Sequence, residues 1–213
     1  MEQLRSLGAR SVPIVSRGDK FVFAQVIKDV VEFLDLDDDT TPTLSPAELA
    51  NRYEGILMTA IRLVRQMPGD CLENQLPNRP RSWRVLMHHL FQIPTAFLNM
   101  EETGDTLSHE DLVAPPPEMM KTSDDIAAFG ESVRDRFQSW WQEAADQEFS
   151  GDVPTYFGGT SRHEMLERTV WHSTQHVRQV ASLLEQAGIK PDRPLTQEDI
   201  RGLPLTEKVW DEA

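Results

Sequence analysis

Four stretches of this chain join a helix-start signal to apolar residues spaced three or four apart, and that pattern leaves few ways to fold. Ser45 to Glu48 reads "SPAE", a capping box with proline at the first helical position, and a stripe follows through Leu49, Tyr53, Ile56, Leu57, Ile61 and Val64 to about Met67. The second stretch covers Ser82 to Met100, with Val85, Leu86, His89, Leu90, Ile93, Phe97 and Leu98 on one side. Pro94 lies inside it and predicts a kink. The third starts at the Thr122–Asp125 cap and runs to about Asp146; the fourth starts near Ser161 and ends at Gly188. The connections "GDTLSHEDLVAPPPEMMKT" and "SGDVPTYFGG" are expected as a long loop and a connector. The expected fold is therefore mainly α, an antiparallel four-helix bundle. One more short helix is expected near "TQEDIRGL" in the polar tail.

The N-terminal segment differs. Val12 to Val15 and Phe21 to Phe23 are β-rich runs separated by "SRGD", and Gln25 to Leu34 has helical spacing. A strand, turn, strand and helix bury too little for a core of their own. Residues 1–36 are thus expected to pack as an appendage, 37–44 as a polar linker, and 45–213 as the bundle with its tail.

Composition narrows function. Of 213 residues, 39% are hydrophobic and 26% charged, ordinary for a globular chain, and no apolar run reaches the ~20 residues of a membrane helix. The formal charge of −14, with no basic stripe, argues against nucleic-acid binding, which relies on cations at phosphates. The single cysteine, Cys71, cannot form an internal disulfide, and the N-terminus has no apolar leader segment, so a cytoplasmic location is expected.

"TVWHSTQHVRQV" carries the chemistry. His172 and His176 stand four apart on the fourth helix, about 40° apart on its wheel, so both imidazoles can reach one ion. They occupy stripe positions shared with Met165, Thr169, Val180 and Leu183, where an unpartnered imidazole would be costly. His89 faces the same side of its helix as Leu86 and Ile93, while His88 is rotated by about 100°. Three histidine nitrogens with one open position is the arrangement of a catalytic zinc or similar divalent site. Arg168 and Gln179 continue the histidine face, with Gln175 to one side. Arg168 is read either as a clamp for a substrate carboxylate or as half of a surface ion pair. Gln92, Gln175 and Gln179 are read either as ligand or histidine partners or as rim residues.

Two resemblances follow from these residues. "SWRVLMHHLFQIPTAFL" together with "HEMLERTVWHSTQHVRQVASLLEQAGI" resembles the DinB/YfiT-like superfamily of metal-binding four-helix bundles, over about Ser45 to Ile189. The resemblance implies a divalent metal, zinc most commonly, with nickel or iron as alternatives, on His89, His172 and His176. It also implies a homodimer and thiol-dependent transferase or isomerase chemistry. "LRSLGARSVPIVSRGDKFVFAQVIKDVVEFL" is similar to the second half of a glutaredoxin, without its CxxC nucleophile. That resemblance implies glutathione or another small thiol as co-substrate. Val12 and Pro13 then either help bind it or belong to a remnant retained for packing or dimerisation. The expected function is a metal-dependent, thiol-using transferase or isomerase acting on a small electrophile. The alternatives are a metal-dependent hydrolase, with Glu164 or Glu167 the only nearby acids, and a non-catalytic metal-binding stress protein.

Overall fold

Each long helix starts at the residue whose side chain can satisfy its first free amides. A computed structural model describes residues 14–24, 26–76, 80–144 and 146–210. The first elements are β1 (Ile14–Arg17), β2 (Lys20–Phe23) and α1 (Ile27–Leu34). The strands pair antiparallel from Ile14↔Phe23 to Arg17↔Lys20, and Gly18 turns the chain at a φ of 67°. Val12, Pro13 and Gln25 lie outside the described residues.

The four long helices are α2 (Pro46–Arg65), α3 (Trp83–Thr103), α5 (Ser123–Glu143) and α6 (Arg162–Gln186). Ser45, Thr122 and Ser161 each form a complete capping box, and Ser82 accepts from Val85 N. Helices α2 and α3 each pack against both α5 and α6. Their shared core holds Tyr53, Leu57, Leu86, Phe91, Phe97, Phe137, Val177 and Leu184. The chain is mainly helical, and no helix among the described residues is long and apolar enough to cross a membrane.

Two expected irregular segments contain regular structure. α4 (His109–Val113) lies in the stretch read as a long loop; Ser108 caps it, but five residues are too few to show a periodicity. The stretch read as a connector forms a hairpin of β3 (Asp152–Thr155) and β4 (Gly158–Ser161). Its two-residue turn is Tyr156-Phe157, which lacks the Asn-Gly or Asp-Gly signature of such turns, and Gly158 supplies the positive φ of 117° one position later. The tail helix is α7 (Gln197–Ile200), capped by Thr196.

None of the described residues 14–36 is fully buried. The N-terminal unit makes no buried core of its own among the described residues.

Candidate metal centre

Pro94 does more to place the site than its expected kink suggests. α3 continues unbroken from Trp83 to Thr103, through Pro94. Proline has no N–H, so the Leu90 carbonyl loses its usual partner four residues later. Ser173 Oγ on α6 donates to that carbonyl at 3.3 Å. The Ser173 hydroxyl hydrogen is then committed, so the fully buried Tyr53 hydroxyl donates to Ser173 Oγ at 2.8 Å. This relay ties α2, α6 and α3 together one residue away from both His172 and His89, and so sets how the two helices are rotated about their axes.

On that frame the three histidines converge. One ring nitrogen from each of His89, His172 and His176 lies within 4.8 Å of the other two. Ring centroids are 5.5 Å apart for His89–His172, 5.0 Å for His89–His176 and 5.0 Å for His172–His176. Two nitrogens bonded to one tetrahedral zinc at about 2.0–2.1 Å stand about 3.3–3.4 Å apart. The rings therefore close in when an ion binds, by up to about 1.4 Å at the widest spacing the cluster allows. Burial pushes His89 down to about 3, assisted by the neighbouring His176 and Arg81, while a backbone hydrogen bond to Leu112 opposes it. Burial, followed by His176 and His89, holds His172 well below the ordinary imidazole range. These two rings are therefore neutral at physiological pH, the form a metal binds.

Gln179 fixes the third ring. Its Oε1 can only accept, so His176 Nδ1, at 2.7 Å, carries the proton. The lone pair is then on Nε2. Gln179 is itself held by donation from Nε2 to the Val209 carbonyl at 3.1 Å. Metal-binding histidines usually donate their other ring N–H to an oxygen acceptor, and the Gln179 amide oxygen takes that place here.

The other sequence candidates are distributed more widely. Gln92 donates to the Asp111 carbonyl of α4 at 2.8 Å, and Gln175 donates to the Val209 carbonyl at 2.7 Å, so both amides hold backbone. Arg168 is half-buried, with its guanidinium carbon 4.9 Å from the Phe157 ring centre and 5.9 Å from that of Trp171. The Tyr156 hydroxyl also bonds it, and burial lowers its pKa from the ordinary value. Trp171 in turn lies 5.6 Å, ring to ring, from His172. His88 points away and stacks on Phe129 at 5.3 Å; His163 bonds the Leu44 carbonyl at 2.8 Å; His109 meets Tyr156 at 5.4 Å. Glu164 is occupied at the α6 cap, where its carboxylate accepts from Ser161 N and Oγ. Glu167 is pushed up to about 6 by burial and by the nearby Glu164.

Sequence reasoning missed Arg81, Tyr156 and Phe157. Arg81 acts electrostatically on both His89 and His172 from the segment just before α3, and nothing in its local sequence distinguishes it from other loop arginines. For Tyr156 and Phe157 the available sign was the pair of glycines that follows them, Gly158 and Gly159, which marks a turn. No protein-family model matches the chain, and the comparison with curated proteins also finds no match.

Proposed function

We propose that this chain is a four-helix bundle of the DinB/YfiT-like kind in which His89, His172 and His176 hold one divalent metal. It uses a small thiol, glutathione by the likeness of its N-terminal segment, to transfer to or isomerise a small electrophile. The observation that carries the reading is the convergence of three imidazole nitrogens within 4.8 Å from two different helices. Three nitrogen donors suit zinc, and nickel or iron can use the same set. When bound, such an ion supplies Lewis acidity at its remaining position, where a thiol or water becomes easier to deprotonate.

The chain's own residues prepare that position. Burial keeps His89 and His172 unprotonated, Gln179 holds the His176 proton on Nδ1, and the Tyr53–Ser173–Leu90 relay fixes helix rotation. Trp171 lies beside His172, and Arg168 places a positive charge one helical turn away, suited to an anionic reactant.

Metal content of the purified protein tests the first half. About one ion per chain is expected in the wild type and less than about a tenth of that in His172→Ala. Equal content in the two proteins sinks the proposal. Glutathione titrated into the cobalt-substituted protein should then produce a sulfur-to-metal charge-transfer band. Metal without that band favours the hydrolytic reading.

A further inference from the structure

A cavity of about 660 Å³ lies between the N-terminal unit, the linker, the first half of α6 and the tail. None of the three histidines lines it. Its volume falls in the range of sites for small organic ligands. Ile27 and Val31 of α1, Phe157 of the β3–β4 turn, Trp171 of α6 and Leu203 of the tail supply its apolar lining. Arg168 also lines it, with its guanidinium near the Phe157 and Trp171 rings.

Six charged side chains line this space, Lys28, Asp38, Asp39, Glu164, Glu167 and Arg168, and Lys28 acts electrostatically on Glu164. Glu164 is turned to its own helix cap, and Asp39 accepts from Thr41 N at 2.9 Å, so both carboxylates face backbone of their own segment. Burial disfavours the ionised form of Glu167. Arg168 is a fixed charge in a partly desolvated setting, placed by the Phe157 and Trp171 rings and by the Tyr156 hydroxyl that bonds it. A planar guanidinium held in one orientation matches the two oxygens of a carboxylate.

We propose that this cavity binds a small carboxylate-bearing organic molecule, with Arg168 as its anion anchor and the apolar walls of α1 and the β3–β4 turn around its body. The site deepens the function proposed above and rests on it in one respect: Arg168 is one helical turn from His172 and acts on it electrostatically, which makes a molecule anchored here the proposed second reactant. It also assigns the N-terminal unit a task, since α1 supplies a wall that residues 45–213 lack.

The test uses the full-length protein stripped of metal, with 3-phenylpropionate as probe and its neutral amide, 3-phenylpropanamide, as control. Binding is read by calorimetry and by shifts of the Trp171 indole signal. The acid should bind at least about tenfold more tightly than the amide. Arg168→Met should remove that preference and Arg168→Lys should keep part of it. Val31→Trp should block both compounds by filling the cavity, with metal content and melting temperature unchanged. Equal binding of acid and amide by the wild type, wild-type binding of the acid by Arg168→Met, or no binding of the acid would each overturn the proposal. Because the measurement is made without metal, those failures leave the metal-content result untouched. Failure of the metal reading would likewise leave the cavity result standing.

Discussion

Ser173→Ala is the substitution whose consequence can be worked out most fully. The Ser173 hydroxyl serves two groups at once, donating to the Leu90 carbonyl and accepting from Tyr53. Tyr53 and Ser173 are both fully buried, so no water replaces the lost oxygen. The variant leaves a buried hydroxyl donor and a buried carbonyl unsatisfied at roughly 1–3 kcal/mol each, and with some relaxation about 2–4 kcal/mol of stability should be lost. The Leu90 carbonyl needs Ser173 only because residue 94 is proline. In Pro94→Ala the residue 94 amide can donate to Leu90 along the helix, so the serine becomes partly redundant. Urea unfolding of the wild type, both single variants and the double variant gives the coupling directly, with metal removed to keep the site out of the comparison. Ser173→Ala should cost about 1–2 kcal/mol less in the Pro94→Ala background than in the wild type. General effects of removing proline cancel in the cycle. An uncoupled cycle, or a Ser173→Ala cost below about 0.5 kcal/mol, would refute the claim that Pro94 and Ser173 act as one unit.

Other consequences can be checked in the same protein. Gln179→Leu removes the acceptor for His176 Nδ1 and should weaken zinc binding by about 10–100-fold in a chelator competition; unchanged affinity would show that the amide does not orient the ring. For Glu167 the folded carboxyl sits at about 6, above its ordinary 4.5, so the folded state holds the proton more tightly. Stability from this group is therefore present below about pH 4.5 and lost as pH rises through 6. After allowance for partial exposure, Glu167→Gln should stabilise the protein by about 1 kcal/mol at pH 8, with the gain disappearing by pH 4.5 in matched urea titrations; a pH-independent difference would contradict it. At Gly130 an added Cβ would stand 2.5 Å from Phe91 Cζ, in a ring that is fully buried and cannot swing aside. Gly130→Ala should therefore destabilise by about 1–2 kcal/mol, because the overpacking exceeds the roughly 1 kcal/mol gain in helix propensity, and a raised melting temperature would refute this.

What the sequence alone determines is local. Helix starts at Ser45, Ser82, Thr122 and Ser161 are legible because a cap is a contact between residues three apart, and its chemistry is written within four letters. The shared face of His172 and His176 is legible for the same reason, since helix geometry fixes the angle between them. The short α4 and the β3–β4 hairpin escaped, one because it is too brief for a period and the other because its turn residues are aromatic. The remaining features join residues far apart in the chain. The approach of His89 to His172, the answer of Ser173 to the carbonyl freed by Pro94, and the Val209 carbonyl that holds Gln179 depend on how α3, α6 and the tail settle against each other. So does the cavity that α1 closes over Arg168. Periodicity says which side of a helix is buried, but not which helix it meets or at what height. Those are decided by side-chain packing and by the need to satisfy each buried polar group, and only the folded chain contains both.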